Sequence, residues 1–234
     1  MHTTKATGRK HAAATDRTCR PARASAVATR LGIAAALGVA VFGLAACTLI
    51  ETRPDPSKFY VLDAVPATKP ANRWPFALAV SRVQTPSYLD QAQIVSRAGE
   101  SRVTFSEFNR WLEPMDKGAT RVFSNALAAH LGADRVALEP GLDVYRDGVL
   151  VQLQLLRLDG ELGGTVTANA RWRISSVHSA ATLATGEAVV EETCDSRDYQ
   201  AYAGALSRAL DAIAVKVAAS MTAIRADKDG LPVK

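Results

Sequence analysis

The sequence predicts a single α/β domain, with two main helices packed on one face of a mixed or antiparallel sheet. Segments whose apolar residues alternate with polar ones are typical of strands, and two longer segments show the spacing of a helix face. The strands both precede and separate the two helical segments. No internal repeat of fixed period accompanies this pattern, and the chain after residue 56 is long enough to bury its own core.

Four short strands are predicted before the first helix. The segments KFYVLDA and PFALAVSRV are rich in aromatic and β-branched residues, and QIVSR and RVTFS flank a turn at Gly99. The following segment, EPMDKGATRVFSNALAAHLG, has its apolar residues on one helix face. Pro114 is predicted in the first turn of this helix and Gly132 at its C-terminal cap. The motif NRWLEPM, which contains Arg110 and Trp111, is expected to open the helix.

The second half of the chain predicts a hairpin, a further strand and a long helix. After a short strand at residues 135–138, GVLVQLQLLRLDG and TVTANARWRIS alternate apolar with polar residues and are joined by a glycine-rich turn. TLATGEAVVEE then precedes an alanine-rich amphipathic helix. The residues expected on the solvent face of the second hairpin strand are Thr165, Thr167, Asn169, Arg171 and Arg173. The apolar stripe of the terminal helix consists of Tyr202, Leu206, Leu210, Ile213, Val217 and Ile224.

The first 46 residues are predicted to be a secretory signal. The apolar run from Leu31 to Ala46 is shorter than the roughly 20 residues that a membrane-spanning helix needs, and basic residues precede it. Leu44, Ala45 and Ala46 stand directly before Cys47, and this quartet resembles the bacterial lipobox. The resemblance implies cleavage between Ala46 and Cys47 and acylation of Cys47, since two or more acyl chains anchor a protein stably. The alternatives are an ordinary buried cysteine and an uncleaved anchor helix.

Removal of this leader changes the charge of the protein. The whole chain has 28 Lys and Arg against 23 Asp and Glu, but residues 1–46 hold seven basic residues and one acidic residue. The remaining chain therefore has 21 basic and 22 acidic residues, and this balance does not favour nucleic-acid binding. Of the three cysteines, Cys19 leaves with the signal and Cys47 is acylated, so Cys194 is expected to be a free, buried thiol. The alternative is an intermolecular disulfide through Cys194.

The sequence shows no motif that carries catalysis or metal binding. His130 and His178 are the histidines after the leader, and neither has a second ligand at metal spacing, so no metal and no cofactor are predicted. No serine stands in a Gly-x-Ser-x-Gly elbow, and GELGG lacks the Lys-Ser/Thr ending of phosphate-binding loops. The chain is therefore predicted not to be an enzyme. The alternative of a lipid-anchored enzyme would need a pocket with converging titratable groups.

Several motifs, taken in their order, resemble one family. FYVLDA after the lipobox, SYLDQAQIVSR, NRWLEPM, LRLDGELGGTVTANARWRI and the LSRAL of the terminal helix are together similar to the ABC-type transport auxiliary lipoproteins, which include PqiC (YmbA). The resemblance covers nearly the whole chain after the signal. It departs from the family at Gln91 and Ala92, where Arg-Pro is common, and in SVHSAAT, which lacks the usual Asp and Gly.

This resemblance implies an outer-membrane lipoprotein that acts as the non-catalytic docking subunit of an ABC/MCE-type system for lipid transport between membranes. The implied partners are an MCE-domain protein that spans the periplasm and an ABC or PqiA-like inner-membrane component, and a homo-oligomer is expected. The candidate partner-interface residues are Tyr88, Leu89, Asp90, Arg110 and Trp111, and their alternative role is structural. The alternative function is a lipoprotein partner of an outer-membrane β-barrel assembly or lipopolysaccharide-export complex.

The expected organisation has four parts: a signal peptide (1–46), a lipidated tether (47–56), the α/β domain (57–226) and a C-terminal tail (227–234). Thr48 stands where an Asp signals inner-membrane retention in enterobacterial lipoproteins, so the periplasmic face of the outer membrane is the expected location. Ten tether residues span at most about 35 Å when extended. The domain is therefore expected to stay near its own membrane.

Overall fold

A computed structural model describes residues 54–66, 73–138 and 148–226 of the chain. Within these ranges it contains eight strands, two α-helices and a short 3-10 helix at Ser87–Leu89. The compact unit begins at Asp55. The predicted signal with Ala46 and Cys47, most of the tether and the tail at 227–234 lie outside the described residues.

The strands form two sheets. The three-stranded sheet has the order β1-β4-β3, in which β1 runs parallel and β3 antiparallel to β4. The five-stranded sheet has the order β5-β2-β6-β7-β8, with β2 parallel to both of its neighbours and the rest antiparallel. The strand bounds are β1 Lys58–Tyr60, β2 Leu78–Val80, β3 Gln93–Arg97, β4 Val103–Trp111, β5 Val136–Leu138, β6 Val149–Gly160, β7 Thr165–Ser176 and β8 Thr182–Thr193.

The two helices are α1, Met115–Leu131, and α2, Tyr199–Ala226. Gly132 caps α1 in the left-handed conformation, with a φ of 61°, which confirms the predicted cap. Pro114 is the residue before the helix rather than part of its first turn. β4 runs on through Trp111, so NRWLEPM ends a strand before it opens a helix. Neither of these helices is long and apolar enough to cross a bilayer.

One core joins both sheets and both helices. Buried side chains from β2, β3, β6, β7, α1 and α2 belong to a single apolar cluster. The helices pack against each other, and α2 packs on β7 and β8. The predicted stripe of α2 is buried except for Ile224, which is half-buried, and Cys194 is a buried free thiol. The predicted α/β architecture is confirmed, although its strands are divided between two sheets.

The long hairpin of β6 and β7 is confirmed, with one local difference. The apolar face that begins at Val149 and Val151 is buried, as predicted. A register shift between Leu155 and Arg157 interrupts the alternation of β6. Beyond the shift, Asp159 pairs with Thr167, and both residues are buried. The prediction that Thr167 faces solvent is therefore wrong. The prediction assumed strict alternation of buried and exposed residues, and the register shift in β6 is not visible in that pattern.

Candidate docking surfaces

A buried ion cluster surrounds Asp159 at the end of β6. The Asp159 side chain is fully buried. Arg97 donates from Nε to Oδ1 at 2.7 Å and from Nη2 to Oδ2 at 3.2 Å, Arg157 Nε donates to Oδ1 at 2.8 Å, and the Tyr88 hydroxyl donates to Oδ2 at 2.5 Å. The cluster therefore joins β3, β6 and the 3-10 helix through one carboxylate.

The electrostatics of this cluster favour the ionised carboxylate. Burial alone would raise the pKa of Asp159, but the hydrogen bonds from Arg97, Tyr88 and Arg157 outweigh it, so the pKa is lowered. Burial and the adjacent carboxylate raise the pKa of Tyr88 to about 12. Both oxygens of Asp159 already accept hydrogen bonds, which leaves no free lone pair aimed into a cavity. The arrangement is typical of a structural ion cluster rather than a proton-transfer site.

Tyr202 ties the same corner of the molecule to α2. Its hydroxyl donates to the carbonyl of Val95 at 3.0 Å and accepts from the amide of Gly160 at 3.0 Å. Burial raises the pKa of Tyr202, so the hydroxyl stays protonated. These neutral hydrogen bonds join α2 to β3 and to the end of β6. The ionic hydrogen bonds of Asp159 join the same two strands to each other.

The structure places the five candidate interface residues in different environments. Leu89 and Trp111 belong to the buried core, at 3% and 8% exposure. Tyr88 is half-buried against Asp159. Arg110 is half-buried on β4, and Asp90 is exposed at the end of the 3-10 helix. Within this set Asp90 is the exposed residue and therefore the one most open to contact by another molecule.

A pocket of about 280 Å³ lies beside this set. It is bounded by the loop before β3 and by the segment between β4 and α1, and its lining residues include Asp90, Gln91, Trp111, Leu112 and Glu113. Glu113 is engaged by Arg121 at 2.5 Å. The pocket therefore brings Asp90 and Trp111, two of the candidate interface residues, together at one place.

A larger open groove of about 680 Å³ crosses β6, β7 and β8. Its polar lining includes Arg82, Gln84, Gln152, Gln154, Arg171, Thr185 and Glu187. Arg171 pairs with Glu187 at 2.9 Å, and the Ser81 hydroxyl donates to the carbonyl of Val151. The serine is thus bonded to the backbone instead of to a base, and it is not arranged as a nucleophile. No group of side chains suited to a metal ion occurs within residues 54–66, 73–138 and 148–226.

β8 forms an edge of the five-stranded sheet. Its neighbour is β7, and no other strand of the described chain pairs with its opposite side. The edge is twelve residues long, and Val189 on it is 58% exposed. Arg208 covers its end by donating to the carbonyl of Thr193 at 2.6 Å. An edge of this length presents a row of backbone donors and acceptors to a partner segment.

Sequence reasoning selected Asp90 as a candidate interface residue, but it did not predict the ion cluster at Asp159. The motif LDGELGG predicts a turn, and an aspartate in such a segment is expected to serve the turn. The available signal was the pairing of Arg157 and Asp159 two residues apart at the end of a strand. The free edge of β8 was not apparent either, since strand order within a sheet is not visible in local periodicity.

Comparison with known proteins identifies the family. A family model described as the ABC-type transport auxiliary lipoprotein component matches residues 60–218. No curated protein matches the chain. A protein of family DUF330 from Xanthomonas campestris is 16% identical with a TM-score of 0.60, and the match covers 74% of this chain and 98% of that one. An uncharacterized protein of known structure is 20% identical with a TM-score of 0.58, covering 70% and 98%.

The two solved structures show the fold alone, because both identities are low. The family match carries more weight, since it spans more than half of the chain and includes α1, most of α2 and every strand from β2 to β8. The chain belongs to the family of ABC-type transport auxiliary lipoprotein components.

Proposed function

We propose that this protein is the outer-membrane lipoprotein subunit of an ABC/MCE-type system that moves lipids between membranes, and that it acts as a non-catalytic docking component. The family match over residues 60–218 carries the proposal, since members are auxiliary components of ABC-type transport. The proposed partners are a periplasm-spanning MCE-domain protein and an ABC or PqiA-like inner-membrane component. No cofactor and no nucleic acid are needed for this role.

The proposed anchor is the acylated Cys47. The described chain starts at Pro54, seven residues after Cys47, and its buried core starts at Leu62. Seven residues span at most about 25 Å when extended. A domain on so short a tether stays next to its own membrane, so the components of the opposite membrane have to reach it.

The proposed docking element is the β8 edge. Its backbone groups are available over most of Thr182–Thr193, and strand addition supplies affinity through main-chain hydrogen bonds. Glu191 is exposed on this strand, and Glu187 is exposed beside it although it pairs with Arg171, which favours a partner segment with a basic residue opposite Glu191. The pocket beside Asp90 is the second proposed contact, because exposed loops next to a rigid core are common binding sites.

Site-specific photocrosslinking in cells tests both contacts. A photoreactive residue at Val189 on β8, or at Asp90, is expected to give an adduct that contains the MCE-domain protein. Ala223 is exposed on α2, far along the chain from both contacts, and serves as the matched control that should give no adduct. Native mass spectrometry of the purified lipoprotein tests the predicted homo-oligomer.

Two results would contradict the proposal. Adducts at Val189 and Asp90 that contain an outer-membrane β-barrel protein and never an MCE-domain protein would favour the alternative function in envelope assembly. Fractionation of the native protein with the inner membrane would contradict the proposed location, whichever partner is recovered.

A further inference from the structure

The three-stranded sheet carries an unusual set of exposed apolar side chains. We name them the β1–β4 apolar surface: Phe59, Val61, Phe105, Phe108 and Leu112. Their exposed fractions range from 42% for Phe108 to 68% for Leu112. Three of the five are phenylalanines, although the chain has six in total. Large exposed apolar side chains on two paired strands, and on the residues that directly follow these strands, are characteristic of an interaction surface.

The register of β1 and β4 explains why part of this surface points away from the core. Phe59 pairs with Arg110, and Tyr60 pairs with Trp111. Trp111 is buried and Tyr60 packs against the core, so the neighbours on the other face, Phe59 and Arg110, point outward. By the same alternation Val61 and Leu112 follow them on the outer face. The exposure is therefore a consequence of the sheet and not of a loose segment.

A bulge in β4 follows Phe105 and presents Phe108. Val95 pairs with Phe105, and Gln93 pairs with Arg110. The four residues 106–109 of β4 therefore lie opposite the single residue Ile94 of β3. The extra residues protrude from the sheet, and Phe108 is one of them.

The bulge is braced from within. The hydroxyl of Ser106 accepts from the amide of Asn109 at 3.0 Å and from its side-chain nitrogen at 2.8 Å. The Tyr60 hydroxyl in turn donates to Asn109 Oδ1 at 2.9 Å. Because these bonds fix the backbone of the bulge, Phe108 is held outward in the folded domain. Binding of another molecule to Phe108 therefore requires no further loss of backbone conformational entropy.

The position of this surface in the chain indicates what covers it. β1 begins at Lys58, eleven residues after Cys47, and it is the first strand of the domain. A membrane anchor at Cys47 would therefore hold Phe59 and Val61 within about 50 Å of the bilayer even with the linker fully extended. Any slack in the linker brings them closer. No other large hydrophobic residue that is exposed in the described chain lies within so few residues of the anchor.

We propose that the β1–β4 apolar surface docks on the lipid surface of the membrane that holds the acyl anchor. Phenylalanine side chains partition into the boundary between headgroups and acyl chains, and a domain anchored by a covalent lipid needs little further affinity to lie flat. The contact fixes the orientation of the domain, which leaves the β8 edge free for the transport partner. This inference rests on the anchor at Cys47 that the proposed function includes.

Site-specific fluorescence of the full acylated chain tests the docking. Phe108→Cys and Phe59→Cys variants are labelled with the environment-sensitive dye NBD and placed in phosphatidylethanolamine and phosphatidylglycerol vesicles. Cys194 is buried, so the introduced cysteine is the accessible thiol once Cys47 is acylated. Val215→Cys on α2, where Val215 is 43% exposed, is the matched control. We expect a blue shift at 108 and 59, and quenching by brominated acyl chains several-fold stronger than at 215.

Equal quenching at 108 and 215 would overturn the inference. A blue shift at 108 that brominated lipid does not quench, and that grows with protein concentration, would also overturn it, because a second copy would then cover the surface. The acyl mass of the purified chain is measured separately. A chain that carries acyl groups but shows no quenching removes this inference alone, whereas a chain without acyl groups removes the anchor and the proposed function with it.

Discussion

Asp159 shows how a single side chain organises this corner of the molecule. A fully buried carboxylate is unfavourable unless it is paired, and here it accepts from Arg97, Arg157 and Tyr88. The two arginines are each partly exposed, so their charges keep contact with water while the aspartate does not. The cluster fixes the position of the 3-10 helix next to β3 and β6, and with it the exposed Asp90 that follows.

Replacing Asp159 by asparagine tests the role of this charge. We expect Asp159→Asn to lower the free energy of unfolding at pH 7 by about 3 to 5 kcal/mol, as for other buried ion pairs that lose one partner. The lowered pKa of Asp159 stabilises the fold above the carboxyl's unfolded pKa, and this contribution is lost as the pH falls through the lower folded pKa. The difference from the native chain should therefore narrow below about pH 5. Denaturant unfolding at several pH values measures it.

The matched control is Asp134→Asn. Asp134 pairs with Arg73 at 3.0 Å, but both side chains are largely exposed, so the loss should be less than about 1 kcal/mol. A difference between Asp159→Asn and the native chain that stays constant from pH 7 to pH 3 would show that shape, and not the ionised carboxylate, stabilises this site.

The predicted membrane anchor depends on Cys47. Cys47→Ala is expected to leave an uncleaved precursor that keeps residues 1–46 and carries no acyl group, because lipobox processing acts on the acylated cysteine. Mass spectrometry of the membrane-extracted protein measures both features. Normal cleavage in the variant, or globomycin-insensitive maturation of the native chain, would contradict the lipobox interpretation.

At the scale of elements, apolar periodicity predicted those elements in which one face is more buried than the other along most of the length. The β6–β7 hairpin, β8 and both helices agree with the sequence prediction. One face of the hairpin and of each helix is buried over most of its length, and β8 alternates between half-buried and exposed residues. The bulge of β4 and the 3-10 helix at Ser87–Leu89 were not predicted. Both depend on contacts distant in sequence, such as Tyr60 with Asn109 and Tyr88 with Asp159. Local patterns contain no information on such contacts.

The sequence predicted which residues could form the interface, but it did not separate those that bind a partner from those that belong to the core. Tyr88, Leu89 and Trp111 are large side chains of the kind found both in cores and at interfaces, so residue type does not separate the two roles. The structure places Leu89 and Trp111 in the core. Contact with a partner at Asp90 and Arg110 stays a prediction, to which the crosslinking experiment applies.

Gly186 offers a test of the packing between β7 and β8. It pairs with Trp172, and a Cβ at this position would lie 2.3 Å from Cζ2 of the indole. Trp172 is buried, so the ring has little room to move. We expect Gly186→Ala to lower the free energy of unfolding by about 1 to 3 kcal/mol, the range of overpacked cores. Thr185→Ala, at the exposed neighbouring position, is the control and should melt like the native chain. An unchanged melting temperature for Gly186→Ala would mean that the indole reorients freely.

At the scale of the whole molecule, the two sheets act as one folding unit. Buried side chains of β3 and α1 belong to the same cluster as those of the β6–β7 hairpin and α2, so neither sheet has a separate core. The sequence predicted one domain because the chain that follows the leader has the length of a single domain that can bury its own core. It did not predict the division into two sheets, since that depends on which strands pair.

The last prediction concerns the start of this unit. The described core begins at Leu62, and β1, which starts at Lys58 and pairs with β4, is the first strand of the domain. A chain shortened to start at Pro56 should therefore unfold in one cooperative thermal transition without acyl groups. A chain that starts at Leu62 lacks β1, which removes the pairing with β4 and the Tyr60 hydroxyl that braces Asn109, so it should melt at a clearly lower temperature. Circular dichroism and calorimetry measure both chains. If the chain from Pro56 shows no cooperative transition, residues before the tether's end take part in the fold, and the domain is not self-sufficient.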